Sequence, residues 1–230
     1  MLTSLVVLSL ATEPWTVLVF SKTAGFRHAS IDSGVKAIQQ LGSENGFAVV
    51  HTEDAATFDE NIGKYKVVIF LNTTGDVLNR SQEEAFEKFH RRGGGFVGIH
   101  SASDTEYEWK FYGQVVGAYF SGHPAVQQAT IRVLDRTHPS TRHLSDSWVR
   151  RDEWYDFKAQ PMEHCKVICE LEPESYQGRK MSGRQPTVWF HDKFGGRAFY
   201  TGGGHTPESF GEPEFRQHLL GAIKWAARLD

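Results

Sequence analysis

The sequence of 230 residues has only two cysteines and no block of five or more charges of one sign. Cys165 and Cys169 lie in the stretch HCKVICELE, whose alternation is typical of a strand. Four strand residues span about 13 Å, which exceeds the Cα separation that a disulfide allows. The sequence therefore predicts two buried free thiols, and the same separation argues against a metal ion held by this pair.

Charge and hydropathy exclude two further classes of protein. The 25 Lys and Arg residues against 28 Asp and Glu give a formal net charge of −3, which does not indicate the basic face that nucleic acids require. The apolar stretch from Leu5 to Ala11 is too short to span a bilayer. It resembles the core of a signal peptide without the basic region, so we expect residues 1–14 to be a disordered tail or a signal-peptide remnant. A periplasmic or secreted location and a cytoplasmic one both stay open, as does homo-oligomerisation.

The first half of the chain alternates strand and helix signals. Helical spacing extends from Ser30 to Asn45, and a second helix is predicted from Ser81 to Arg92, with Ser81 and Glu84 as a capping box. Apolar runs predict strands at 16–21, 47–54, 66–73 and 95–101. Such alternation indicates a mainly parallel sheet with helices on both faces. Ligands then bind at the carboxyl ends of the strands.

The second half has short strand signals with few helices between them, among them DEWYDF and RAFYTGGG. They predict an antiparallel extension of the sheet, and a final helix is expected from about Pro213 to Leu229. No linker or repeat interrupts the pattern, so we expect a single domain over residues 15–230.

The stretch GIHSASD places His100 at a strand end where many α/β enzymes carry a nucleophilic Cys or Ser. A histidine there can act as a base, a hydrogen-bond donor or a metal ligand, or it can be structural. Further candidates lie in glycine-flanked loops: His28 in GFRHASI, His123 in SGHP and His205 in TGGGHTP. Glu153, in RRDEWYDF, supplies a carboxylate that could orient an imidazole or bind a metal.

A metal site gains no support from local spacing, because no H-x-H, H-x-x-x-H or C-x-x-C motif is present. A divalent metal would need His28, His100, His123, His205 and an acidic residue to converge from separate loops. The metal and any cofactor therefore stay open. The histidines expected at the surface are His51, His90, His164 and His218.

Several motifs, in order, resemble the ThuA-like family, which is named for trehalose utilisation. They are FSKTAGFRHASI, GIHSASDTEYEWKFYGQVVGAYFSGHP, DEWYDF and FYTGGGHTPESF, and the resemblance extends from Trp15 to Leu229. It implies a flavodoxin-like fold of the class I glutamine amidotransferase type. Amidotransferases carry a catalytic Cys where this chain has His100, so glutamine hydrolysis through a thioester is excluded.

The resemblance also implies a carbohydrate ligand, a glucoside such as trehalose or its 3-keto derivative. A 3-keto sugar has an acidified C–H bond beside its carbonyl, so we expect elimination or hydrolysis by histidine acid–base chemistry with His100, His205 and Glu153 as catalytic residues. The alternatives are a non-catalytic carbohydrate-binding or interaction module and a metal-assisted glycoside hydrolase in the same cleft. The expected substrate-binding residues are Lys22, Arg27, His28, Ser101, His123 and Trp154.

Overall fold

The computed structural model describes residues 14–230, apart from the side chain of Glu60. The predicted tail or signal remnant over residues 1–14 lies outside the described residues, except for Pro14. The first half contains β1 (Thr16–Phe20), α1 (Ile31–Asn45), β2 (Ala48–Thr52), α2 (Thr57–Asn61), β3 (Val67–Leu71), α3 (Arg80–Arg91) and β4 (Gly95–Ile99). The second half contains α4 (Lys110–Val116), β5 (Phe120–Gly122), β6 (Gln127–Val133), β7 (Ser147–Asp152), β8 (Asp156–Phe157), β9 (Lys166–Leu171), β10 (Pro186–His191), β11 (Ala198–Thr201) and α5 (Pro213–Ala226).

Within residues 14–230, nine strands form one sheet in the order β2-β1-β3-β4-β11-β10-β9-β6-β7. The five strands from β2 to β11 are parallel to their neighbours, and the four that follow are antiparallel. β5 and β8 form a separate antiparallel pair. This confirms the predicted α/β, flavodoxin-like fold with an antiparallel extension.

Two apolar clusters cover the two faces of the sheet. α1 and α5 pack on one face through residues such as Ile38 and Leu219, and α2, α3 and α4 pack on the other through residues such as Phe58 and Phe86. The central parallel strands β1, β3, β4 and β11 are buried on both faces, which is why they read as apolar runs, whereas the edge strand β2 is partly exposed. None of the helices within residues 14–230 is long and apolar enough to cross a membrane.

The extension curves back toward the parallel strands. β7 is the last strand of the sheet, yet Trp148 on β7 packs against Phe215 of α5, with ring centroids 6.4 Å apart. At the end of β7, Asp152 accepts hydrogen bonds from the backbone N–H groups of Gly204 and His205, at 2.8 and 3.0 Å. The carboxyl ends of β7 and β11 therefore meet at one edge of the molecule.

Three local predictions were wrong. The N-cap of α3 is Asn79, in a reciprocal capping box with Gln82, two residues before the predicted Ser81–Glu84 pair. His90 and His218 are fully buried rather than at the surface. DEWYDF is not one strand, because the residues between Asp152 and Asp156 leave the sheet.

Both cysteines are free, as predicted, but only Cys169 is buried, whereas Cys165 is half-buried, and the two lie on opposite faces of the sheet. Val188 pairs with Cys169 and Trp189 pairs with Val167, so Ile168 is an extra residue in β9. Such a bulge reverses the alternation of side chains beyond it. Cys169 is therefore buried beneath α1 and α5, whereas Cys165 packs on the other face.

Candidate active site

His100 follows the last residue of β4, and its backbone φ of 51° lies in the left-handed region. A non-glycine residue there is strained, and such strain is concentrated at functional turns. Its Nδ1–H donates to the carbonyl of Gly202 at 2.9 Å, so in the neutral ring the lone pair is on Nε2. The side chain is fully buried. His100 can therefore accept a hydrogen bond or bind a metal ion, but it does not face solvent.

The loop after β11 carries His205 and is fixed from two sides. Asp152 accepts from the N–H groups of Gly204 and His205. On the other side, Ser30 Oγ and Asn72 Nδ2 donate to the Gly204 carbonyl at 2.9 and 3.1 Å. Gly204 has a φ of 112°, which requires glycine. These contacts hold the imidazole of His205 at the carboxyl edge of the sheet.

Glu153 joins the histidines through both of its carboxylate oxygens. Oε1 lies 3.0 Å from Nδ1 of His123, and Oε2 lies 3.1 Å from Nδ1 of His205. Oε2 is also 3.5 Å from Nε2 of His100. Nδ1 of His205 is 3.3 Å from the same Nε2, to which it can donate. One buried carboxylate thus lies in contact with imidazoles from three separate loops.

His28, between β1 and α1, completes the cluster. Its ring stands edge-on to those of His100 and His205, with centroids 4.9 and 5.1 Å away. Its Nδ1 is 3.4 Å from Oγ of Ser101. Burial, followed by the charges of His100 and His205, lowers the pKa of His28 to about 3, so this ring is neutral at ordinary pH. We refer to His28, His100, Glu153 and His205 as the four-residue centre.

The charges of the centre are set by Glu153 and His205. Burial alone would raise the pKa of Glu153, but its contacts with the imidazoles of His100 and His205 outweigh burial and lower this pKa to about 2. Burial alone would lower the pKa of His205, whereas the hydrogen bond and charge of Glu153, with the charge of Asp152, raise it above 6.5. The pair is therefore a carboxylate beside an imidazolium in slightly acidic solution.

The centre opens into a cleft of about 310 Å³. Phe26, at the rim, is 66% exposed, which is unusual for a large apolar side chain. The lining residues are Phe26, His28, Asp104, Phe120, His123, Glu153, Tyr155 and His205. A larger groove of about 510 Å³ lies between α2 and α3, but the residues described around it include no histidine. The cleft is therefore the candidate active site because of its histidine and carboxylate side chains, although the groove is larger.

The structure brings six of the nine predicted site residues together and leaves three apart. His28, His100, Ser101, Glu153 and His205 form or support the centre, and His123 lies at its exposed side. Lys22 donates to the carbonyl of Val77, and Arg27 pairs with Glu53 at 2.8 Å, both outside the lining of the cleft. Trp154 is buried in the apolar core, where its Nε1–H donates to the carbonyl of Gln127.

The four-residue centre has the donors of a metal site. One nitrogen from each of His28, His100 and His205 and one oxygen of Glu153 all lie within 4.8 Å of one another. Three imidazoles and a carboxylate suit borderline divalent ions such as Zn²⁺. The hydrogen bond from His100 Nδ1 to a backbone carbonyl also matches the outer contact that orients a ligating histidine. The residues present therefore fit such an ion.

Sequence reasoning missed two groups of residues. The aromatic and acidic lining at Phe26, Asp104, Phe120 and Tyr155 adjoins the quoted histidine motifs, so proximity in sequence was the available signal. Asp152, fully buried, positions His205 through its backbone, and Arg150 lies 3.1 Å from this carboxylate. No local pattern shows that contact, because Asp152 and His205 are far apart in the chain.

Comparisons with known proteins agree with this fold. A family model described as trehalose utilisation, ThuA, matches residues 16–226. The structure is similar to a ThuA-like protein from Bacteroides uniformis, with 23% identity, a TM-score of 0.79 and coverage of 95% of this chain and 94% of that one. A ThuA-like protein from Parabacteroides merdae has 19% identity, a TM-score of 0.78 and coverage of 93% and 90%. PurLQS from Thermotoga maritima has 11% identity, a TM-score of 0.55 and coverage of 93% and 99%. No curated protein matches the sequence.

Proposed function

The chain belongs to the ThuA family of trehalose utilisation, and from this premise we propose that it is an enzyme that acts on a glucoside such as trehalose or its 3-keto derivative. One observation carries the proposal: the two oxygens of Glu153 lie 3.0 and 3.1 Å from imidazoles that both line the same cleft. Two imidazoles on one carboxylate supply a base and an acid side by side.

His123 is the base in this proposal. Its Nδ1 lies 2.9 Å from the carbonyl of Pro124 and 3.0 Å from Glu153, two acceptors, so the proton is on Nδ1 and the lone pair is on Nε2. Its side chain is 43% exposed, so it is accessible from the cleft. A histidine oriented by a carboxylate is the arrangement used for general bases in many enzymes. The fully buried His100 is therefore a supporting residue rather than the base.

His205 is the acid. Although burial opposes it, the hydrogen bond and charge of Glu153 raise the pKa of His205, which favours the proton-donating form of the ring, and its side chain is 24% exposed. Glu153, with a pKa of about 2, is ionised and serves as the group that orients both histidines. On a 3-keto glucoside, His123 would take the proton from C2, and the electron pair would form the C1–C2 double bond as the C1–O bond breaks. His205 would protonate the departing glycosidic oxygen.

The wall of the cleft suits a sugar ring. Phe26 exposes an aromatic face at the rim, and Phe120 and Tyr155 line the interior, where rings pack on the C–H face of a sugar. Asp104, which also lines the cleft, can accept hydrogen bonds from sugar hydroxyls. The volume of the cleft, about 310 Å³, is at the small end of the range for ligand pockets. The cleft therefore holds one sugar ring, and the second ring lies at its mouth.

A metal-assisted reaction is the second candidate, favoured by the four donors within 4.8 Å. The ion would be held by His28, His100, Glu153 and His205, and it would supply Lewis-acid stabilisation of a carbonyl or enolate oxygen. Binding would displace the proton that His205 carries, so affinity would increase with pH. His123 would keep its role as base.

Turnover experiments test both versions. Protein purified without a nickel column is incubated with trehalose and, separately, with 3-keto-trehalose. Each reaction is run once with chelator and once with added Zn²⁺ or Mn²⁺, and the release of glucose is measured. We expect consumption of 3-keto-trehalose, with a loss of about 10²–10⁴-fold in Glu153→Gln and none in the exposed control Glu172→Gln. Consumption only with metal would select the second candidate. Binding of either sugar without turnover would overturn both in favour of a binding module.

A further inference from the structure

A second group of metal-binding side chains lies at the opposite edge of the sheet. His164, Cys165 and His191 each offer a donor atom within 4.8 Å of the other two; we call them the His–Cys trio. His191 is the last residue of β10, and Cys165 immediately precedes β9. β10 is antiparallel to β11, so its carboxyl end lies at the amino end of β11, away from the four-residue centre.

Strand register explains why the trio comes together. Phe190 pairs with Lys166 in the antiparallel ladder of β10 and β9, which places His191 directly opposite Cys165. The N–H of Cys165 donates to the carbonyl of Met162 at 2.8 Å, and this turn positions His164 beside the pair. The rings of His164 and His191 are perpendicular, with centroids 4.7 Å apart.

The last turn of α4 orients both imidazoles. Nε2 of His164 donates to the carbonyl of Gln114, and Nε2 of His191 donates to the adjacent carbonyl of Val115, each at 2.9 Å. The lone pairs are therefore on the Nδ1 atoms. That of His191 accepts only a long bond of 3.3 Å from the N–H of Lys193. A ligating histidine normally donates its second nitrogen to a carbonyl or carboxylate in this way.

Cys165 adds a sulfur to the two nitrogens. Its thiol is half-buried, and burial raises its pKa to about 12, so the free protein holds it protonated. A cation would replace that proton, because the thiolate is the ligating form. Gly117 leaves the room for the sulfur, since a Cβ at that position would lie 2.7 Å from Sγ. The trio thus combines two oriented imidazoles with a half-buried thiol.

We propose that the His–Cys trio is a second metal site, which binds a thiophilic cation such as Zn²⁺ through Sγ of Cys165 and one nitrogen of each of His164 and His191. A thiolate with two imidazoles favours Zn²⁺ over hard ions such as Mg²⁺ or Ca²⁺. The four-residue centre offers only nitrogen and oxygen, so sulfur ligation reports on the trio alone. The site is independent of the proposed sugar chemistry.

Cobalt(II) titration tests the proposal, because a thiolate ligand adds an intense sulfur-to-cobalt charge-transfer band. The protein is purified without a nickel column, stripped with chelator and titrated. We expect a band that saturates within two equivalents, since the four-residue centre can also take up cobalt, that Cys165→Ser abolishes and that needs at least about tenfold more cobalt in His191→Ala. The band should persist in Glu153→Gln, which alters the other centre, and in Cys169→Ala, whose thiol is fully buried elsewhere.

A second measurement needs no variant. Zn²⁺ should slow alkylation of Cys165 in the native protein, as followed by peptide mass spectrometry. The proposal is overturned if native protein shows no charge-transfer band, if the band survives in Cys165→Ser, or if Zn²⁺ leaves alkylation of Cys165 unchanged.

Discussion

At the scale of single residues, Glu153 couples the site. It is one residue beyond β7, and its two oxygens reach His123 on one side and His205 on the other. The pair with His205 stabilises the fold within a limited pH range. Since the pKa of Glu153 is depressed from 4.5 to about 2, its contribution is full above pH 4.5 and is lost as pH falls toward 2. Since the pKa of His205 is raised from 6.5, its contribution is full below pH 6.5 and is lost as pH rises through the raised value.

Glu153→Gln should therefore destabilise the protein most between about pH 4.5 and 6.5, by about 1–3 kcal/mol. The loss should shrink at higher pH, where His205 is neutral in both proteins. Urea unfolding at pH 5.5 and at pH 9 measures the difference. An equal loss at both pH values would show that the two groups do not form an ion pair.

Phe26 and Trp154 allow the proposed sugar contact to be tested separately from core packing. Phe26 is 66% exposed at the rim, whereas Trp154 is 1% exposed in the core. Phe26→Ala should raise KM about tenfold, through loss of about 1.4 kcal/mol of sugar stacking, and leave the midpoint of thermal unfolding nearly unchanged. Trp154→Phe should lower that midpoint and leave KM within about twofold. Steady-state kinetics and calorimetry of both variants check this, and a raised KM in Trp154→Phe alone would contradict it.

The positions of some site residues could be predicted from the sequence and those of others could not. His100 and His205 could be located because carboxyl ends of parallel strands share an edge, and both follow such strands. The full burial of His100 could not be predicted, because it depends on the loops that cover this side chain. Trp154 was expected in the cleft as part of a strand, but the chain leaves β7 at Asp152, and the alternation of faces ends there.

At the scale of elements, the sequence pattern placed the N-cap of α3 two residues too late. Ser81 and Glu84 match the capping pattern, yet Asn79 Oδ1 accepts from the N–H of Gln82, and Gln82 Oε1 accepts from the N–H of Asn79. Asn and Gln fill the same two roles as Ser and Glu, so two overlapping patterns competed. The residue at which the helix begins decides between the two patterns, and the local sequence does not specify that residue.

The caps give a direct comparison. Asn79→Ala should cost about 1 kcal/mol because it leaves the N–H of Gln82 unsatisfied, which lowers the thermal midpoint by about 2–4 °C in a protein of this size. Glu84→Ala should cost much less, since this exposed side chain only pairs with Arg80 at 3.3 Å. A larger loss of unfolding free energy in Glu84→Ala than in Asn79→Ala would instead support the Ser81–Glu84 capping box predicted from the sequence.

At the scale of the whole molecule, the parallel half of the sheet was predictable and the curvature of the other half was not. Alternating apolar runs and helices define the first half through local periodicity. The return of β7 toward β11 depends on contacts between distant residues, such as Trp148 with Phe215 and Asp152 with Gly204. That return delivers Glu153 to the histidines, so the architecture of the extension creates the site.

The proposed chemistry is transfer of a proton beside a sugar carbonyl, and hydrogen–deuterium exchange measures that step directly. The protein is incubated with 3-keto-trehalose in D₂O, and the C2–H and C4–H signals of the keto ring are followed by proton NMR. We predict that the protein accelerates loss of the C2–H signal alone, that His123→Gln abolishes the acceleration, and that C4–H exchanges at the rate of the blank. Glucose release with C2–H fully retained would contradict the account.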